Sequence, residues 1–395
     1  MKTLGERSAR LLTTALVTAG ALVTAGALAL PASAQPSRPA TPGTSHQLTV
    51  RQILFGDKLH HKFRVDGTGA WRSESLTSPD DITELGRHLF VTFQNGVGPQ
   101  GTPSTDGNTD STLVEFTLGG RWVNQWDVAG KCDGLTADPL TGKVIATINE
   151  DAHSSLDTIT VATGRLQHYR YSEALPHNGG TDAISVYHGE ILISASAPGT
   201  TGKAAPQPTY PAVYVTTLHP TTGIAQVRPL YYDEALAKAV NGPDAGKLVR
   251  LALTDPDSNE VVPWSSTRFA GDFMLTSQGD KEQIFYRKAG RRVNLDVLAL
   301  SDSVDDTAWA TARRGALYTT DQTTDTVDAV YGAFTVGTAY SAVTPCDAND
   351  APAVCPAPGF PPNYLATDNL TTGALTAVKT LGPRVHPQGM IFIRF

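Results

Sequence analysis

Asp133-Gly134-Leu135-Thr136-Ala137-Asp138-Pro139-Leu140-Thr141-Gly142-Lys143-Val144-Ile145-Ala146-Thr147-Ile148-Asn149 reads as two short strands joined at a glycine turn. An aspartate opens the first strand. The second is an apolar run followed by a hydroxyl residue, a spacer and a polar residue. It is short and rich in β-formers, which suits a buried strand. The same ending recurs in Leu89 to Gln94, Ile191 to Ser196, Phe273 to Gln278 and Ala316 to Asp321. Ahead of each stands an acidic residue opening another short strand: Asp80, Asp182, Asp257 and Asp306, with Gln388 taking that place before Gly389-Met390-Ile391.

Glycines close a further strand pair in each repeat, as at Gly119-Gly120 after Thr112 to Phe116, Gly164 after Thr158 to Val161, and Gly373 after Tyr364 to Thr367. Each repeat is therefore about four strands in about 50 residues, the pattern of a β-propeller blade. One blade cannot cover both its faces, so blades stack around an axis. The expected fold is an all-β, six-bladed β-propeller. Seven blades is the alternative, because two intervals stretched to about 75 and 80 residues leave room for a degenerate blade. The last opening, at Gln388, has no chain left for outer strands, so Gln47 to Leu54 near the start is expected to share its blade and close the ring. Inside one long interval, Asp233 to Val240, ended by Asn241-Gly242, reads as a short capped helix.

The chain has 395 residues, 31 Lys+Arg against 38 Asp+Glu, 40% hydrophobic and 17% charged residues, and three cysteines. That is too apolar for disorder, too poor in cysteine for a disulfide scaffold, and without the basic surplus that phosphate-backbone binding requires. Nucleic acid is excluded as a partner on this ground. Lys2, Arg7 and Arg10, the apolar run Leu11 to Leu30 and Ala32-Ser33-Ala34 read as a secretory signal peptide over residues 1–34. Residues 35–45, rich in Pro and Ser, read as a disordered leader, and 46–395 as a single propeller domain. The product is expected to be extracellular and monomeric, since no later apolar run reaches membrane-spanning length. Outside the cell, Cys346 and Cys355 flank a loop that a disulfide would pin, and Cys132 reads as a small buried apolar residue.

In a propeller the innermost strands open on the face that receives the loop after each second strand, so both polar columns converge on one end of the axis. The opening column offers Asp80, Asp133, Asp182, Asp257, Asp306 and Gln388; the second offers Gln94, Asn95, Asn149, Gln278, Asp280 and Asp321. Carboxylates sharing an axis repel unless protonated, hydrogen-bonded or metal-bound, and all-oxygen ligand sets suit Ca2+. The metal candidates are Asp133, Asn149, Asp80, Asp182 and Asp306. An aspartate repeated in every blade also suits a scaffold role, accepting N–H bonds from its own turn. Residues that break the repeat are better candidates for chemistry: His177 with Asn178, Glu150 with His153, and His386. The catalytic candidates are His177 and His153 as proton carriers, assisted by Glu150. Gln94, Asn95, Asn178, Gln278, Asp280, Asp321, His386 and Gln388 are the candidates for ligand contact.

With Asp133-Gly134-Leu135-Thr136-Ala137-Asp138 followed by Gly142-Lys143-Val144-Ile145-Ala146-Thr147, the chain resembles the NHL and SMP-30/gluconolactonase group of six-bladed propellers. The resemblance implies blade architecture over most of the mature chain and a range of activities: calcium-dependent lactonases and esterases, lyases, and pure binders. Those lactonases hold their metal with a Glu, two Asn and an Asp. Here Asp133 matches the Asp-Gly element, while the Glu-Gly-Pro, Pro-Asn-Asp and Asn-Gly elements are missing.

Other motifs lack their context. Gly96 to Gly101 spells G-x-G-x-x-G without a following helix pattern and with Pro99 inside it, so no nucleotide cofactor is expected. Asp106, Asn108, Asp110 and Asp255, Asp257, Asn259 have the alternation that opens a calcium loop, but Ser111 and Glu260 stand where it needs glycine. No G-x-S-x-G or H-E-x-x-H occurs. The leading reading is a secreted propeller that binds a small molecule, glycan or protein on its polar axial face, with Ca2+ as the candidate cofactor. The alternatives are a metal-dependent lactonase-type hydrolase or lyase, and a cell-envelope scaffold without a small-molecule site.

Overall fold

The computed structural model describes residues 48–176, 180–196, 210–289, 292–345, 363–378, 381 and 385–395. The signal peptide and leader, His177, Asn178, Cys346 and Cys355 lie outside them. The described chain is all-β; among the described residues there is no α-helix, and a single 3-10 turn stands at Gly56–Lys58 ahead of the first blade. None of its helices is long and apolar enough to cross a membrane.

Strand β1 (Thr49–Phe55) and a hairpin of β2 (His60–Arg64) and β3 (Trp71–Ser75) precede the first blade, formed by β4 (Pro79–Leu85), β5 (His88–Phe93), β6 (Asp110–Thr117) and β7 (Trp122–Ala129). The second blade is β8 (Cys132–Asp138), β9 (Lys143–Ile148), β10 (Ser155–Thr160) and β11 (Arg165–Tyr171); the third is β12 (Ile184–Tyr187), β13 (Glu190–Ser194), β14 (Pro211–His219) and β15 (Ile224–Tyr232). A hairpin, β16 (Leu236–Ala239) and β17 (Leu248–Arg250), leads to the fourth: β18 (Pro256–Val261), β19 (Phe273–Ser277), β20 (Glu282–Ala289) and β21 (Arg292–Ala299). The remainder is β22 (Val304–Trp309), β23 (Arg314–Asp321), β24 (Thr326–Ala333), β25 (Ala339–Val343), β26 (Tyr364–Asp368), β27 (Leu375–Ala377) and β28 (Met390–Arg394). The innermost strands β4, β8, β12, β18, β22 and β28 each pack against the next, and β28 returns to β4.

The last two blades exchange strands. β22 pairs with β25, and β26 and β27 follow outward, whereas β23 pairs with β28 and carries β24 and then β1. The chain thus leaves β22, builds the middle of the neighbouring blade, and returns to finish its own. This corrects the expectation that Ala316 to Asp321 backs the strand opened near Asp306. Ala339-Tyr340-Ser341-Ala342-Val343 has the same apolar composition and takes that edge, so nearest-in-sequence pairing fails here. The two ends of the domain do meet in one sheet, β28 innermost and β1 outermost. The helix expected over Asp233 to Val240 is also corrected. Its alternating apolar residues Ala237 and Ala239 are buried in strand β16, which runs parallel to the edge strand β21 and widens the fourth blade.

Apolar side chains fill the spaces between blades, for example Phe93, Phe116, Tyr318 and Val327, or Tyr214, Ile193 and Tyr169. Near the axis, polar contacts take over. Asp81 accepts N–H bonds from Ile82 and, across the blade boundary, from Leu135, both at 2.6 Å. Asp306 repeats this with Thr307 and Met390, again at 2.6 Å. Hydroxyls bind the next blade's opening carbonyl: Thr147 donates to Asp182, Ser258 to Asp305 and Thr320 to Asp80. Such close approach explains Gly134. A Cβ there would lie 2.5 Å from the Asp182 carbonyl oxygen and 2.6 Å from Ala183 Cα. Gly134→Ala is therefore expected to cost about 1–3 kcal/mol in a denaturant titration; an unchanged midpoint would show that the blades are not held this tightly.

Candidate functional site

The six innermost strands open into a cavity of about 620 Å³ on the propeller axis. Its rim is Asp80, Asp133, Asp182, Asp257, Asp305 and Gln388, one residue per blade. Four of these strands carry a register shift at the opening, between Pro79 and Ile82, Cys132 and Leu135, Pro256 and Asn259, and Val304 and Thr307. Each bulge re-aims two successive residues. The first of each pair reaches the cavity rim; the second sits where Asp81, Gly134 and Asp306 meet the neighbouring blade. Asp305 and Asp306 both line the cavity, with Asp305 at the rim.

Amides from the second strands reach across to the next blade's carboxylate. Gln94 Nε2 donates to Asp133 Oδ1 and Gln322 Nε2 to Asp80 Oδ1, both at 2.9 Å. Gln278 Nε2 donates to Thr344 Oγ1 at 2.9 Å. In β23 the motif is shifted by one residue, because Thr320 rather than Thr319 occupies the hydroxyl position. Gln322 consequently lines the cavity, and Asp321 does not. Asp321 is fully buried and accepts N–H bonds from Thr323 and Thr324, with His386 Nδ1 3.1 Å from its second oxygen.

The cation in this cavity is Lys131. Its Nζ lies 3.0 Å from Asp133 Oδ1 and is hydrogen-bonded to Glu150. Asn149 fixes the backbone that presents it: in a left-handed turn (φ 64°), Asn149 donates its N–H to the Lys131 carbonyl at 2.7 Å and accepts the Lys131 N–H on Oδ1 at 2.9 Å. Burial works to lower the Lys131 pKa, but the charges of Asp133, Glu150 and Asp80 outweigh it and hold the ammonium above its ordinary value. A neutral, nucleophilic amine is thereby disfavoured.

Burial acts on the carboxylates in the opposite sense. Burial pushes Asp80 up to about 7, with Lys131 pulling the other way. Burial likewise raises Asp133, Asp182 and Asp257 well above the usual carboxylate range, with Lys131 opposing at Asp133, Asp133 and Glu150 adding at Asp182, and Asp305 and Asp182 adding at Asp257. Asp306 rises to about 6 through burial, held down by its two backbone N–H partners.

Of the residues expected to contact a ligand, Gln94, Gln278 and Gln388 line the cavity, as does Glu150. Asn95 instead accepts the Thr77 N–H and donates to Thr112 and the Asp110 carbonyl. Asp280 is occupied by Thr254 and Ser277. His153 is exposed in a turn at φ 57°, outside the cavity lining. Cys132 is a buried free thiol whose pKa burial raises, in line with a packing role. Lys131, Asp305 and Gln322 were not anticipated. Lys131 precedes its strand with no motif to mark it, whereas a one-residue frame would have given the other two.

The donors do not fit a calcium centred on Asp133. Asn149 and Asp306 spend their oxygens on backbone N–H groups, and the Lys131 ammonium already sits against Asp133 and Glu150. Among the described residues no cluster of three or more His, Cys, Asp or Glu is arranged to hold a metal.

No family model and no curated protein matches the sequence. Solved structures supply similarity of fold. The periplasmic gluconolactonase PpgL of Pseudomonas aeruginosa is 13% identical, with 88% of this chain and 99% of that one covered, at a TM-score of 0.44. A protein of unknown function from Bacteroides caccae is 12% identical over 89% and 100% of the two chains, also at 0.44. A protein from Lactobacillus plantarum is 9% identical over 88% and 99%, at 0.40. At these identities no residue role transfers.

Proposed function

We propose that this chain is an exported propeller that binds a small hydrophilic molecule in its axial cavity without converting it. The observation that carries the reading is the cavity itself: about 620 Å³, ringed by carboxylates and amides contributed by every blade, a volume suited to a small molecule rather than a protein segment. Its chemistry favours binding over turnover. Lys131 is held protonated, the rim carboxyls of Asp80 and Asp133 are hydrogen-bonded, and neither of the described histidines singled out by sequence, His153 and His386, lines the cavity. The charged, apolar and Ala-x-Ala succession at residues 1–34 supports export.

A thermal-shift screen of sugars, polyols, amines and lactones tests this. At least one compound is expected to raise the midpoint by mass action, with the rise diminished in Asp182→Asn and the compound recovered intact. Lactone hydrolysis that disappears in a folded Asp133→Ala variant would replace binding by catalysis. A blank screen, with partner capture on the outer surface, would instead support the scaffold reading.

A further inference from the structure

We propose that the axial cavity selects an organic cation: a small amine that also carries a hydroxyl or carbonyl oxygen. This rests on the small-ligand reading above and narrows it to one chemical class.

Among the described residues, nine carboxylates line the cavity against a single ammonium, that of Lys131. Asp81 and Asp306 are neutralised in part by backbone N–H groups, whereas Asp80 and Asp133 each accept a side-chain amide. Among the lining residues, buried Asp133 Oδ2 and Asn259 Nδ2 have no hydrogen-bond partner, on side chains 3% and 5% exposed. One is a carboxyl oxygen and the other an amide N–H donor. Asp133 gives its Oδ1 to Gln94 and Lys131, and Asn259 gives its Oδ1 to the Ser185 hydroxyl at 2.5 Å. A buried polar atom left unmatched is costly, so the pair defines what a ligand would gain by entering. An ammonium satisfies Asp133 Oδ2, and an oxygen on the same molecule satisfies Asn259 Nδ2. Lys131 shows that the cavity accommodates an ammonium against carboxylates. Anionic sugar acids and phosphates meet the opposite field.

Three probes of one chain length separate charge from shape: 4-amino-1-butanol, 1,4-butanediol and 4-hydroxybutyrate, titrated calorimetrically into the mature protein at pH 8. The amine is expected to bind about tenfold tighter than the diol and the carboxylate weakest, with the preference shrinking as salt rises. Asp133→Asn is expected to lower amine affinity about tenfold and diol affinity by less, so that the preference for the amine shrinks. Should Asp133→Asn fail to fold, Asp182→Asn replaces it. Equal affinity for amine and diol would overturn the charge selection and leave the binding reading standing. If none of the three binds while another compound from the wider screen does, the inference falls alone; if that screen is blank as well, both fall.

Discussion

Replacing Lys131 by Met is expected to destabilise the protein by about 3–5 kcal/mol at pH 8, because it leaves the buried Asp133 and the partly exposed Glu150 without their cation. Asp133 is 3% exposed and keeps only the Gln94 amide as a hydrogen-bond donor. The loss should shrink as pH falls, since protonated carboxyls no longer need the ammonium. Lys131→Arg should recover part of the stability, limited by the fit of its larger head group. Urea titrations at pH 5 and pH 8 measure both effects. A loss below about 1 kcal/mol, equal at the two pH values, would mean that the pair is solvated and weak.

The second large effect is a fall in stability as pH rises from about 5 to 8. Burial raises Asp80, Asp328 and Asp368 to about 7 and Asp306 to about 6. At each, the native state retains a proton that the unfolded chain has released above its ordinary carboxylate pKa. Stability from these groups is complete below about pH 4 and is lost progressively as pH climbs through the folded values. His61 adds to the same slope: burial lowers its pKa, but Asp127 and Glu74 at 3.2 and 3.0 Å outweigh it, and that stabilisation fades above the raised value. Glu190, held low by Lys288, works the other way only in acid. A net loss of at least about 3 kcal/mol between pH 5 and 8 is expected by chemical denaturation. A flat or rising profile would show that these buried acids are ionised in the native state.

Much of the architecture was legible because blade repetition writes itself into local pattern. Asp80, Asp133, Asp182 and Asp257 each precede a short β-rich strand, and all four line the cavity rim. What failed depended on register or on distant chain. In Asp305-Asp306 two identical side chains stand together, and only the bulge at Val304/Thr307 decides which stands at the rim and which binds the neighbouring blade's N–H. Thr319-Thr320 poses the same ambiguity, which misplaced Asp321 and hid Gln322. The exchange of β23 and β24 with β25 and β26 is invisible locally, since either pair satisfies the innermost strand's apolar face. Lys131 lies two residues before the aspartate it neutralises, where a lysine reads as an ordinary solvated turn residue.

The central claim is that Lys131 is the cavity's own cation, standing where a bound metal was expected. The most direct test is the thermal midpoint at pH 8 in EDTA and after adding back Ca2+, for the wild type beside Lys131→Met and Asp133→Asn. The wild-type midpoint is predicted to be the same in both conditions, whereas Lys131→Met, with its carboxylates released, should gain stability from Ca2+. A calcium-dependent rise in the wild type that vanishes in Asp133→Asn would contradict the claim and restore the metal to the axis.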